Sequence, residues 1–386
     1  MVETGQRLPS LTGLRFFLAA SVLATHLFID AAFFADPGLR TAVLPLDPLA
    51  ACAVSGFFVL SGFVLAWTHR PGEPAGAFWR RRLWRIGPAH ALGWLGAVAF
   101  AVLAADSALP NGLPLHCGPG FSAVSLLLLQ GWAPHLALNA CFNSPSWSIS
   151  CEVFFYALFP LLIAAARRLP ARRLGAVWTV LAVAVLSLPL PALAVGGPVL
   201  GRDIPLSAES VWLCYFFPPA RLAEFALGIV TARLLRAGRW PRVPRTVLLL
   251  SCAAAAALTP FLPAPFRFGA LGAVPLTLLI AHLARADAEG RSGLAARPAL
   301  IRLGEASYAL YILHWPLLLT VRQLLGEDRA FGVPAGLVLV TACALLAQGT
   351  ALLAHRFVER PLAQRFSRRH SPAPAPPGEP AGAPST

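Results

Sequence analysis

The chain of 386 residues is 57% hydrophobic and 12% charged, and apolar runs recur from one end to the other, which excludes a soluble globular protein. Its formal net charge of +14 rests on arginine alone, since lysine is absent. Basicity of this size marks either a nucleic-acid binder or a membrane topology, and the positions of the arginines decide between them.

The first apolar stretch, 11–34, follows a polar start, is too long for a signal core and carries Arg15 in its interior, so no cleavable signal is expected. Further spans are predicted at 48–68, 89–105, 147–166, 174–196, 211–232, 246–263, 268–284, 304–325 and 333–355, about ten in all. Five arginines then fall in 69–88, four in 167–173, five in 233–245, four in 285–302 and five from Arg356 onward. The opposite loops hold Arg40, Arg202, Arg267 and Arg329, with Arg322 at a span end. The positive-inside rule puts both termini in the cytoplasm, and the charge becomes a topology signal that implies no nucleic-acid partner. The run 121–132 covers only about half a bilayer as a helix, and counting it as a full span would invert every later loop. It therefore reads as re-entrant or as a short helix in an outer loop. Cys117 and Cys141 flank it on the side where a disulfide could form, and they are either bridged or two free thiols. The other five cysteines sit in apolar stretches as small packing residues. No metal-ligand spacing and no internal repeat occurs. The expected fold is an all-α polytopic integral membrane protein: one domain over 1–362, then a basic and Pro/Ala-rich disordered cytoplasmic tail over 363–386.

Ionisable residues at membrane depth are costly and therefore direct attention to function. Arg15 and His26 are eleven residues apart, so on one helix they share a face within roughly 20° and stand about 16 Å apart along the axis. In Phe78-Trp-Arg-Arg-Arg-Leu-Trp-Arg-Ile-Gly-Pro88, Arg82 and Arg85 are neighbours on a helix face, a pair that suits a phosphate-bearing ligand or, more plainly, topology and lipid headgroups. Ser148, Glu152 and Tyr156 recur every four residues and form a stripe able to hold sugar hydroxyls, orient an imidazole or simply join helices. Arg221 and Glu224 read as an internal ion pair. Ser307, Tyr311 and His314 share a face, Pro316 frees a carbonyl one turn back, and His314 either lines the same cavity as His26 or bonds a neighbouring helix. The small residues of Ser55-Gly-Phe-Phe-Val-Leu-Ser-Gly62 serve close helix packing, and Glu359-Arg-Pro361 would seat the last helix end.

The order of these pieces is more specific than any one of them. Leu11-Thr-Gly-Leu-Arg-Phe16 leading to His26, Gly56-Phe-Phe-Val-Leu-Ser-Gly-Phe63, Arg82-Leu-Trp-Arg85-Ile with Pro88, Trp147-Ser-Ile-Ser-Cys-Glu152 with Phe155-Tyr156, Arg221-Leu-Ala-Glu-Phe225 with Gly228, Ser307-Tyr-Ala-Leu-Tyr311 with His314-Trp-Pro316, and Glu359-Arg-Pro361 together resemble the acyltransferase-3 family of membrane O-acyltransferases. The resemblance covers about residues 7–362. It implies transfer of an acetyl or other short acyl group from cytoplasmic acyl-coenzyme A, a co-substrate and not a bound cofactor. The implied acceptor is a hydroxyl of a cell-envelope glycan, a glycolipid or a secreted glycoside such as a macrolide. It also implies a bacterial plasma-membrane location and leaves room for separate envelope-synthesis proteins as partners. Val153 stands where many members carry a second acidic residue, which weakens any role needing two carboxylates.

Under this resemblance Arg15, His26 and Glu152 are the expected catalytic residues, Arg82 and Arg85 the coenzyme A ligands, and Ser148, Tyr156, Tyr311 and His314 the acceptor-binding set. His26, neutral, would take the proton of the acceptor hydroxyl as it attacks the thioester, or would carry the acyl group transiently. Arg15 would steer the donor from the cytoplasmic half, with His26 nearer the outer level of Glu152. A proton-coupled transporter, recognised by uptake without acyl-coenzyme A, and a non-catalytic scaffold that tolerates loss of His26 are the alternatives.

Overall fold

A computed structural model describes residues 7–104, 119–140, 142–200, 205–326 and 329–367. Its long helices, in chain order, are α1 (Pro9–Thr25), α2 (Asp47–Thr68), α3 (Ala75–Leu103), α4 (Trp147–Arg168), α5 (Leu174–Ser187), α6 (Pro218–Arg236), α7 (Arg245–Leu258), α8 (Ala270–Ala288), α9 (Ser307–Leu325) and α10 (Val333–Ala354), with a short α11 (Arg360–Ser367) after them. Among the described residues, eight helical segments are long and apolar enough to cross a membrane, and they include every expected span except two. Those two are helices as well. Arg245–Phe261 is apolar but shorter, and Ser307–Leu325 is made more polar by Tyr308, Tyr311, His314 and Arg322.

Two boundaries differ from expectation for a physical reason. Helix α3 begins at Ala75, not near residue 89, because arginine is a good helix former and the helix simply continues out of its apolar half. Arg82 and Arg85 thus sit, as their spacing implies, on one helix face, and that helix is continuous with the apolar span. At the other end the chain stays helical through Ser367, past the expected domain limit at 362, because Phe366 stacks on Trp84 of α3 with ring centroids 3.9 Å apart. The expected half-span at 121–132 is a short helix, Pro119–Leu126, followed by a turn at Gln130–Trp132. It is fastened to α3 by Trp94 Nε1, which donates to Ser122 O at 3.0 Å, and by His90 Nε2, 3.1 Å from Leu126 O. Cys117 and Cys141 lie outside the described residues.

Helices α2 and α6 approach most intimately, and two glycines make this possible. A Cβ on Gly62 would run into the carbonyl of Phe225, and one on Gly228 into the carbonyl of Val59. At this crossing Arg221, 1% exposed, donates from Nε and Nη2 to both carboxylate oxygens of Glu224 at 3.0 and 3.1 Å, and from Nη2 to Ser55 Oγ at 2.9 Å. The expected internal ion pair is therefore bidentate within α6, and Arg221 also ties α6 to α2 through Ser55. The cysteines at 52, 151, 214, 252 and 343 are free.

Helix α1 ends in a π turn, His26–Asp30, and two further π turns occur at Trp212–Phe216 and His355–Glu359. Such turns displace side chains from the regular α register and recur at functional sites. The chain that continues from α1 is tied to the chain before α10 by a backbone pair: Phe331 N donates to Phe33 O at 2.8 Å and Ala35 N to Phe331 O at 2.9 Å.

Candidate active site

Five helices converge on a cavity of about 120 Å³. Helix α1 contributes Arg15, α2 Phe57 and Ser61, α3 Arg82 and Arg85, α4 Ser148, Glu152 and Tyr156, and α9 Ser307, Tyr308 and Tyr311. Seven of the nine expected site residues thus line one space. Their arrangement follows from spacing: the four-residue stripe of α4 turns its three polar side chains to the same side, and the Arg82/Arg85 step does the same on α3.

The cavity walls are held by polar contacts. Tyr156 Oη donates to Glu152 Oε2 at 3.0 Å and lies 3.2 Å from Ser61 Oγ, while Trp79 Nε1 donates to the Tyr156 carbonyl at 3.0 Å. Tyr311 Oη is 2.7 Å from Ser148 Oγ and donates to Pro145 O at 3.1 Å. Tyr308 Oη donates to Ile86 O at 3.0 Å. The cations are treated differently. Among the described residues no carboxylate forms an ion pair with Arg15, Arg82 or Arg85. Arg82 lies with its guanidinium 5.7 Å from the Phe78 ring, and its buried Nε has no hydrogen-bond partner. Three guanidinium groups around one carboxylate in an apolar bundle are costly unless an anion completes the site. Planar guanidinium forks suit phosphate or thioester oxygens.

His26 stands outside this cavity. In the π turn its Nδ1–H donates to Asp30 Oδ2 at 2.7 Å, an arrangement that in the neutral ring puts the lone pair on Nε2. The ring centroids of His314 and Trp315 lie 5.2 and 4.8 Å from that of His26, the Trp315 ring edge-to-face with it. His314 is 1% exposed; its Nδ1 is 3.0 Å from Leu310 O, which can only accept, so its Nε2 also carries a lone pair, and that atom is buried without a partner. The carbonyl of Ile312, freed by Pro316, receives Asn143 Nδ2 at 2.8 Å, which anchors this stretch of α9 to the segment just before α4. Tyr311 connects the two regions: its hydroxyl is in the cavity wall, and its ring lies 6.2 Å from that of His314.

Two expectations need correcting. Glu152 does not stand at the level of His26; it belongs with Arg15, Arg82 and Arg85. Ser148, in the first turn of α4, already meets Tyr311, and Glu152 follows one turn further along the helix, where it faces the arginines. The carboxylate that orients His26 is Asp30, which the reading of the sequence passed over although His26 and Asp30 have the i, i+4 spacing of a helix pair. Ser61, read from the sequence only as part of a packing stretch, also lines the cavity, as does Ser307 of the expected α9 face, whose buried Oγ lacks a partner among the described residues. Glu359, expected only to seat the last helix end, is 1% exposed, meets His355 Nδ1 at 2.7 Å and lies within electrostatic reach of Arg15.

Comparison with known proteins accounts for nearly the whole chain. A family model described as an acyltransferase domain matches residues 8–348. The chain is 40% identical over 378 residues to "Acyltransferase MdmB" of Streptomyces mycarofaciens, covering 96% of this chain and 95% of that protein. It is 27% identical over 396 residues to "Putative peptidoglycan O-acetyltransferase YrhL" of Bacillus subtilis (strain 168), covering 94% of this chain and 56% of that protein. No solved structure matches. With apolar helices, a cavity lined by three arginines and these relatives, the chain is an acyl-transferring enzyme and multi-pass membrane protein that belongs to the acyltransferase-3 family.

Proposed function

We propose that this enzyme is an O-acyltransferase that moves an acetyl or other short acyl group from acyl-coenzyme A to a hydroxyl of a carbohydrate-containing acceptor. The observation that carries this reading is the three-arginine cavity, in which no protein carboxylate forms an ion pair with Arg15, Arg82 or Arg85 among the described residues. Phosphates of the donor would complete it, with Arg82 and Arg85 as principal ligands and Arg15 steering the acyl arm. The arginine-rich loops support entry of the donor from the cytoplasm of a bacterial plasma membrane, with both termini on that side.

The chemistry then falls to His26. Its Nε2 takes the proton from the acceptor hydroxyl, the oxygen attacks the thioester carbonyl, the carbon–oxygen bond forms and the carbon–sulfur bond breaks. The proton held on His26 returns to the departing thiolate, so the products are ester and free thiol. Asp30 keeps the Nδ1–H tautomer and stabilises the imidazolium while it lasts. His314, with its unpartnered Nε2, offers a second hydrogen-bond acceptor for the incoming molecule. Ser148 and Tyr311, and at the deeper end Tyr156 and Glu152, would orient the donor and acceptor where the two regions meet. Envelope glycans, glycolipids and secreted glycosides all present hydroxyls suited to this site, and the name of one relative supports an envelope acceptor.

Detergent-purified protein given acetyl-coenzyme A labelled in its acetyl group, with a panel of glycan and glycoside acceptors, should place label on an acceptor hydroxyl in stoichiometric exchange for free thiol. Substrate uptake into vesicles that requires no acyl-coenzyme A would overturn the reading. So would transfer that survives His26→Ala.

A further inference from the structure

We infer that helices α4, α5 and α6 hold an anionic phospholipid, with one acyl chain in a groove between them and the headgroup against their arginine-rich ends. The groove measures about 230 Å³ and is lined only by apolar side chains, among them Leu162, Ala165, Leu169, Val177, Ala226 and Val230. An apolar cavity of this kind does not hold water. In a bilayer the available filler is an acyl chain, since between apolar helices lipid competes on equal terms with protein packing. The position of the groove identifies the headgroup. It lies at the end of α4 that carries Arg167 and Arg168, beside the start of α5 after Arg172 and Arg173. No acidic residue occurs between 162 and 181.

The positive-inside rule accounts for the arginines at this end of α4, α5 and α6, Arg233 among them, but not for where the Arg233 side chain is placed. This residue lies within α6, and both its Nη atoms donate at 3.4 Å to Leu169 O, a groove residue at the end of α4. It stands within electrostatic range of Arg167. Two like charges at one groove mouth, neither in an ion pair among the described residues, are complementary to a phosphate with a net negative headgroup and not to a zwitterion. The site is separate from the arginine cavity, so it stands or falls independently of the proposed reaction.

Native mass spectrometry of the full-length detergent-purified protein, equilibrated with equal amounts of phosphatidylglycerol and phosphatidylcholine of matched chains, tests this directly. Phosphatidylglycerol should be the retained adduct. Arg167→Gln with Arg233→Gln should reduce its preference over phosphatidylcholine by roughly thirtyfold, at the usual contribution of one basic side chain to anionic-lipid binding. Arg167→Gln alone, which leaves the Arg233 contact to Leu169 intact, should give roughly fivefold if the double variant does not fold. Ala226→Phe, which fills the groove without changing charge, should remove retention of both lipids. Equal retention of the two lipids by the unaltered protein, a preference unchanged by the arginine substitutions, or retention unchanged by Ala226→Phe would each overturn the inference.

Discussion

Replacing Asp30 by Asn separates orientation of His26 from everything else the site does. The side chains of His26 and Asp30 are 18% and 27% exposed and joined by one 2.7 Å contact, so the substitution removes a partly solvated charge and little packing. Asn can present its amide N–H to Nδ1, which favours the tautomer with the proton on Nε2 and takes the base out of action. In a fully buried triad that error costs about 10⁴-fold in turnover. Partial solvation of this pair screens the electrostatic share, and the expected loss in kcat is about 10²–10³-fold, or roughly 3–4 kcal/mol in the barrier. The KM for acyl-coenzyme A should stay within about twofold, because Arg15, Arg82 and Arg85 line a cavity that neither Asp30 nor His26 enters. Initial rates of labelled acyl transfer at varied donor concentration measure both quantities. An Asp30→Asn enzyme with kcat within threefold of the parent, or one whose defect lies wholly in donor KM, would refute the assigned role.

Three further outcomes follow from the packing and the cations. Arg82→Gln and Arg85→Gln should each raise the KM for acyl-coenzyme A by roughly 10- to 100-fold, the worth of one charged hydrogen bond, with kcat less affected; steady-state kinetics with donor varied will show it. Gly62→Val should cost about 3 kcal/mol or more and yield little monodisperse protein on size exclusion, because its side chain meets the Phe225 backbone, whereas Gly76→Ala, with open space around it, should be neutral. Arg221→Met leaves the Glu224 carboxylate buried and unpaired and should cost about 3–5 kcal/mol, read as a fall in thermal midpoint; adding Glu224→Leu should recover much of it.

Hydropathy and arginine placement locate every long helix because both reflect the demand of a bilayer for continuous apolar backbone-satisfied segments. They fail at α3 and α11, where the helix leaves the apolar zone and is held by protein contacts such as Trp84 on Phe366. The cavity was legible as separate stripes, since residues three and four apart on α3, α4 and α9 must share faces. Which stripes meet was not legible from spacing. Whether Glu152 joins Arg15, Arg82 and Arg85 depends on how α4 packs beside α1, α3 and α9, a tertiary fact. The π turn that brings Asp30 onto His26 Nδ1 has no strong residue signature either, although an acid four residues after a histidine was a usable sign. The same sign recurs in His355 and Glu359 at the opposite end of the chain.

Donor binding and proton transfer, as proposed, reside in two places joined through Tyr311. Titration of acetyl-coenzyme A into purified His26→Ala and Arg82→Gln/Arg85→Gln proteins, alongside transfer assays on the same preparations, separates the two. The His26 variant should bind the donor as the parent does and transfer nothing, while the arginine variant should lose donor affinity by at least about tenfold. Loss of donor binding in the His26 variant, or full donor affinity in the arginine variant, would contradict this division.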